Sequence, residues 1–243
     1  MSTATTFLLP GWGLGKDALS TLAQHLSARS IDLPGYGGTD PEPRFDQAVE
    51  RIASELPLGT NLIGWSLGGL LAMAIAARHP EKVAKLVLIA SSPCFITQSD
   101  WPYGLAQAVL DGFIEQVQQA PESTINQFVR GFNRGDVHSK AIYRELMANA
   151  EKDVSFTTLV DGLVWLRDIN LRTELSEIQA PTLILHGDAD PLMPIEGANA
   201  LAKLIPNAKL VSFEQVAHAP FLSCPEALLL QVQTFLQSSP NAY

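Results

Sequence analysis

The chain has 243 residues, 47% hydrophobic and 17% charged, which suits one large α/β domain or a core with an inserted cap and argues against disorder. Its formal net charge of −9 argues against general nucleic-acid binding. The longest apolar stretches fall far short of the ~20 residues that a membrane span needs.

Met1 to Thr6 carries no basic residue and no long apolar run, so no signal peptide is expected and the protein is read as cytoplasmic. Thr5 to Leu9 is a short β-rich run, read as a buried strand. It ends in the Gly-rich loop Pro10-Gly11-Trp12-Gly13-Leu14-Gly15. Within Asp17 to Leu26, residues Leu19, Leu22, Ala23 and Leu26 fall at helical spacing. Ala28 to Leu33 reads as the next strand, stopped by Pro34-Gly35-Tyr36-Gly37-Gly38. Phe45 to Leu56 reads as a helix. Asn61 to Trp65 is an apolar strand, and Leu67 to Arg78 a helix with Leu70, Leu71, Ala74 and Ile75 as its buried face. Val83 to Ala90 is a further apolar strand, broken only by Lys85. This repetition implies an α/β fold with a parallel sheet covered on both faces. Right-handed crossovers then place the loops that follow the strands along one edge, where sites form.

The pattern changes after Ser91-Ser92-Pro93. Helical segments follow near Leu105–Gln118, Ser123–Phe132, Ser139–Ala150 and Ser155–Leu166, with no convincing strand among them. Residues 99–171 are therefore read as a helical lid inserted into a core made of 1–98 and 172–243. The α/β pattern resumes with a strand at Thr182 to Leu185, a helix at Ile195 to Leu204 and a strand at Lys209 to Phe213. A last helix is expected to start at Ser223, whose S-x-x-E spacing to Glu226 fits a capping box, and to run to about Leu236. The two cysteines, Cys94 and Cys224, form no spaced metal or redox motif and are read as buried thiols.

Gly64-Trp65-Ser66-Leu67-Gly68 reads G-x-S-x-G between a strand and a helix, the setting of a nucleophile elbow. A serine hydroxyl needs a base to take its proton and an acid to orient that base. Of the five histidines, His218 lies just after the last strand, on the edge expected to carry Ser66. His25 and His79 sit near helix ends, His138 lies in the lid, and His186 ends a strand, where packing beneath the site is expected. Asp188 and Asp190 both follow the strand at 182–185, and spacing alone does not separate them. The N–H of Leu67 and the N–H of Trp12 are the expected oxyanion donors, and the Trp12 indole can wall an apolar substrate. No metal or organic cofactor is required.

The residues resemble the α/β-hydrolases, and more closely the pimeloyl-[acyl-carrier protein] methyl ester carboxylesterases of biotin synthesis. The segments that carry the resemblance include Gly11-Trp12-Gly13, Asp32-Leu33-Pro34-Gly35-Tyr36-Gly37 and Gly64-Trp65-Ser66-Leu67-Gly68-Gly69-Leu70. The rest are Ser91-Ser92-Pro93-Cys94-Phe95 with Trp101-Pro102, and Ala217-His218-Ala219-Pro220-Phe221. The resemblance implies a serine esterase that removes methanol from a pimeloyl methyl ester presented on acyl carrier protein. It implies Ser66 as nucleophile, Asp190 as acid and His218 as base, with Trp12 and Leu67 at the oxyanion hole. It also implies acyl contacts from Phe128, Val129, Arg130, Gly131 and Phe132. Three departures stand out: the chain reaches the first motif without the family's opening β-hairpin, Pro10 replaces the usual His, and Ser123 and Gln127 occupy two positions expected to be basic.

Ser123 to Arg144 holds Arg130, Arg134, Lys140 and Arg144 against Asp136, a local +3 on an acidic body. Such a patch can steer an acidic carrier protein. The chain is expected to act as a monomer, with no nucleic-acid or membrane partner. Rival readings are a broad short-chain esterase, a C–C hydrolase or a menaquinone-synthesis lyase of the same fold, and a non-catalytic binding protein on the scaffold. Ser66 argues against a dehalogenase, which uses a carboxylate nucleophile.

Overall fold

The computed structural model describes residues 4–239. Residues 1–3, on which part of the leader reading rests, lie outside that range. The centre is a six-stranded sheet in which every strand pair is parallel. Its strands are β1 (Thr6–Leu9), β2 (Arg29–Ser30), β3 (Thr60–Trp65), β4 (Val83–Ile89), β5 (Thr182–Gly187) and β6 (Ala208–Phe213), in the order β2-β1-β3-β4-β5-β6. The chain leaves β1 toward β2 on one side and returns to β3 on the other. That reversal opens a crevice at the carboxyl ends of β1 and β3.

Period-two alternation splits the core in two. Leu62, Leu86, Leu88 and Ile184 face one side of the sheet; Ile63, Trp65, Val87, Ile89, Leu183 and Leu185 face the other. The first side is covered by α2 (Phe45–Glu55), α3 (Leu67–Arg78) and α8 (Ile195–Leu204). The second is covered by α1 (Ser20–Leu26) and α10 (Pro225–Gln237). Between β4 and β5 run α4 (Gln107–Gln119), α5 (Pro121–Phe132), α6 (Ser139–Ala148) and α7 (Phe156–Asp168). Their apolar faces join both halves of the core, through Leu110, Val117, Leu159 and Leu163 on one side and Val129, Phe132, Ile142 and Leu146 on the other.

The Ser-Ser-Pro-Cys-Phe and Trp-Pro segments tie this insertion to the sheet. The Trp101 indole N–H donates to Cys94 O (3.0 Å), Ser92 Oγ donates to the same oxygen (2.7 Å), and Leu171 N–H donates to Pro93 O (2.9 Å). Arg172 lies over the Trp101 ring at 5.5 Å. Entrance and exit of the insertion are thereby held together.

Four expectations are corrected. The strand expected over 28–33 is only Arg29–Ser30, because it pairs with β1 alone at the sheet edge. The helix expected from Asp17 begins as a 3-10 turn, Lys16–Leu19, before α1. Helix α3 has no exposed face from Leu67 to Ala76, since α2 and the 3-10 turn Leu175–Glu177 pack against it as well as the sheet. The capping box is not formed: Ser223 closes the short helix α9 (Pro220–Ser223), and Cys224 caps α10 without a side-chain bond. Pro225, with its fixed φ and no N–H to satisfy, starts α10 instead. Both cysteines are free, Cys94 buried and Cys224 only half-buried.

The β3–α3 turn is crowded. A Cβ on Gly68 would lie 2.2 Å from Leu9 O, and one on Gly64 would lie 2.4 Å from Gly68 O. Both obstacles are backbone and cannot swing away. Gly68→Ala is expected to cost about 3 kcal/mol or more of folding stability, read from the denaturant midpoint at unchanged m.

Candidate active site

Ser66 sits at φ 56° and ψ −118°, between the end of β3 and the first residue of α3. Positive φ is strained for a residue with a Cβ, and it is held here by packing on both sides. The Ser66 N–H donates to Ile89 O at 3.0 Å, and Ser91 Oγ braces Ser66 O at 3.3 Å. The turn pushes the serine side chain clear of the sheet edge.

Three side chains from separate loops meet there. Ser66 Oγ lies 3.0 Å from His218 Nε2, and His218 Nδ1 lies 2.7 Å from Asp190 Oδ2. All three are nearly inaccessible, at 4%, 1% and 6% exposure for Ser66, His218 and Asp190. Asp190 Oδ1 accepts from Leu192 N–H (2.9 Å) and Met193 N–H (3.2 Å), so the carboxylate is fully engaged. Burial alone would push the Asp190 pKa up. The His218 charge and hydrogen bond, with the Leu192 N–H, outweigh it and hold the carboxyl below the usual range.

Asp188, the alternative that spacing left open, is bonded elsewhere: its Oδ1 accepts from Gln215 N–H at 2.7 Å. His186 lies beneath the site. Its Nε2–H donates to Met193 O at 2.8 Å, its Nδ1 has no partner, and burial keeps its pKa below the imidazole range. It is a neutral packing group.

Trp12 follows β1 and sits beside Ser66 because β1 and β3 are neighbours, with Leu9 opposite Gly64. Among the described residues no acceptor is bonded to the backbone N–H of Trp12 or of Leu67. Those donors flank the serine turn and can meet developing negative charge. The Trp12 indole N–H donates to Leu159 O on α7 at 2.8 Å, and Gly13 N–H donates to Tyr36 Oη at 3.0 Å.

Helix α5 supplies the apolar roof. Phe128 meets Trp12 edge-on at 5.1 Å, Phe132 meets Phe128 at 5.1 Å, and Phe132 lies 5.0 Å from the His218 ring. Phe128 and Phe132 are one helical turn apart and share a face. Val129 is buried in the core below. Arg130 and Gly131 turn away: Arg130 is exposed and lies over the Tyr143 ring at 4.6 Å, and Gly131 lines an outer cleft. The structure therefore does not bring Arg130 and Gly131 to the reacting groups.

Outside, Arg130, Arg134, Lys140 and Arg144 are all exposed. Two surface clefts of about 490 and 520 Å³ share Arg130, with Lys140 and Arg144 on one and Arg134 on the other. Asp136, counted from sequence against these bases, is buried and bonded inward. Among the described residues no cluster of three or more His, Cys, Asp or Glu is placed to hold a metal ion.

The chain matches the α/β hydrolase fold family over residues 7–225. A pimeloyl-[acyl-carrier protein] methyl ester esterase from Aromatoleum aromaticum is 40% identical over 239 residues, covering 93% of this chain and 95% of the relative. The chain belongs to the α/β-hydrolases, in the pimeloyl-[acyl-carrier protein] methyl ester esterase family. A second relative of that name, from Pectobacterium atrosepticum, is 37% identical, covering 95% of this hydrolase and 93% of the relative. An esterase from Exiguobacterium antarcticum superposes with a TM-score of 0.85 at 23% identity, over 98% of this hydrolase and 94% of that chain. At that identity it shows a shared fold.

Sequence reasoning missed several supports of this hydrolase's site. The Trp65 indole N–H donates to His218 O at 2.9 Å, although the two are 153 residues apart. Tyr36, in the Pro34–Gly38 segment, steadies the Trp12 loop through its hydroxyl. No periodicity marks such long-range bonds; the only signal is an aromatic with a polar tip, Trp65 at the end of an apolar strand and Tyr36 in a Gly-rich loop. The central geometry carries a direct expectation. Asp190→Asn presents an amide to His218 Nδ1, favours the wrong tautomer, and should lower ester turnover by about 10⁴-fold with the fold kept; initial rates and circular dichroism check both halves.

Proposed function

We propose that this carboxylic ester hydrolase cleaves the methyl ester of pimeloyl-[acyl-carrier protein], releasing methanol and a free ω-carboxylate. The observation that carries the reading is the Ser66–His218–Asp190 relay, at 3.0 and 2.7 Å, beneath an aromatic roof. His218 takes the Ser66 proton as Oγ attacks the ester carbon. The oxyanion is met by the Trp12 and Leu67 N–H groups. The imidazolium, held by Asp190, protonates methoxide as it leaves. Water, deprotonated by the same histidine, then frees the acid and restores the serine.

An acyl chain runs along Trp12, Phe128 and Phe132, which offer apolar contact and no competing nucleophile. With the triad at near-zero exposure, helices α4–α7 serve in this reading as a lid that lifts to admit substrate and closes to exclude water. The exposed bases of α5, α6 and the turn between them receive the acidic carrier and leave the acyl arm pointing inward. Arg130 on α5 and Arg134 in the turn just after it supply basic charge where Ser123 and Gln127 do not. The reaction belongs to cytoplasmic biotin synthesis. No helix among the described residues is long and apolar enough to cross a membrane.

Expression in cells that lack their own such esterase should restore growth without biotin, and Ser66→Ala should not. An esterase active on free esters that fails to rescue would overturn the biotin assignment. The docking part has its own readout. Lys140→Glu with Arg144→Glu should lower kcat/KM for carrier-bound ester, relative to a free short-chain methyl ester, by about tenfold at low salt and less at high salt.

A further inference from the structure

The turn between α5 and α6 reaches from the helical insertion to the loop that carries His218. Asp136 Oδ2 accepts from Ala217 N–H at 3.0 Å, and its Oδ1 accepts from His138 N–H at 2.7 Å. The next amide, His218 N–H, donates to Phe132 O at 3.5 Å. Two successive amides of the histidine loop are thus held by the insertion, while Trp65 holds His218 O from the sheet side. Asp136 is 5% exposed. Its charge reaches the α9–α10 junction, where the Cys224 thiol is pushed up to about 11, first by burial and then by Asp136.

A buried carboxylate fixed by two amide donors is an unusual way to spend a charge on a surface turn. The basic clefts beside it gain nothing from it, because it faces inward. What it does contact is the backbone one residue before the imidazole. A shift of that backbone moves Nε2 relative to Ser66 Oγ. Lid opening would draw Asp136 away from Ala217 and release the loop.

We propose that Asp136 is a positioning residue: the closed insertion seats its carboxylate on Ala217 N–H and thereby aligns His218 between Ser66 and Asp190. The inference rests on the reading of the site as a serine esterase. It makes the competent triad a property of the closed lid, so that proton transfer is assembled only once substrate is enclosed.

The test compares wild type, Asp136→Asn and Asp136→Ala on the methyl and p-nitrophenyl esters of butyrate. Both reactions need His218 as base during acylation. Only methoxide needs it as acid, since p-nitrophenolate leaves unprotonated. Misalignment should lower kcat/KM for the methyl ester by about 10²-fold in Asp136→Ala, and for the p-nitrophenyl ester by at least about tenfold less. Asp136→Asn keeps one acceptor oxygen and should fall between. The ratio of the two rates does not depend on how much protein is folded, so a variant that is merely unstable lowers both equally and leaves it fixed. An unchanged ratio in both variants overturns the inference. A wild type with no activity on either ester, or one matched by Ser66→Ala, overturns instead the esterase reading on which it rests.

Discussion

The close approach of β1, β3 and α3 is the constraint on which the site depends. A glycine at 64 and another at 68 let the start of α3 settle against Leu9 O and onto its own strand. With that contact made, the backbone at Ser66 has one way to turn, at positive φ. The strain there costs about 1–3 kcal/mol, and the surrounding core supplies it. The same contact brings the Trp12 loop alongside the serine, because neighbouring parallel strands end together. The proposed nucleophile and oxyanion donors are therefore two outcomes of one packing event rather than two separate designs.

Much of this was legible in the sequence, and for a physical reason. Helix α3 was expected over Leu67–Arg78 and is found there, since a run of Leu, Ala and Ile with Gly at its start leaves little else to form. Strand β4 was expected to Ala90 and ends at Ile89, and the insertion helices fall within a few residues of their expected places. Long buried strands and long amphipathic helices write their period into the chain. The edge strand β2 did not, because it has a single neighbour and too few residues for any period to show. The start of α10 misled for a different reason. Ser223 and Glu226 have the spacing of a capping box, but Pro225 lies between them and a short helix has already claimed the serine.

Within the site, what the chain revealed was chemistry and what it hid was orientation. Ser66, His218 and two aspartates could be picked out by type and by position after strands. The choice between Asp188 and Asp190 needed either the family resemblance or the geometry, in which one carboxylate reaches His218 and the other reaches Gln215. Asp136 shows the limit most clearly. As a letter it is an acid within a basic stretch and subtracts one charge. As a folded residue it is absent from that surface, and the four bases stand without it. Summed charge along a segment equals the charge a partner meets only when every side chain in it faces out.

The roof and the reactive groups are coupled more tightly than their separation in the chain suggests. His218 is packed between Trp65 below and Phe132 above, at 5.8 and 5.0 Å, and its backbone is bonded to both sides. A site this enclosed has a low effective dielectric, which strengthens each charged contact in the relay and makes any loose one expensive. Enclosure also forbids entry. On the proposed mechanism the site opens, and a displacement of α5 would carry Phe132 and the turn after it together, since they lie on one short stretch of chain. Exposure of the serine and loosening of the histidine then follow from the same displacement. Water that reaches the open site finds a relay less well aligned than the one a bound acyl chain finds when the roof is shut.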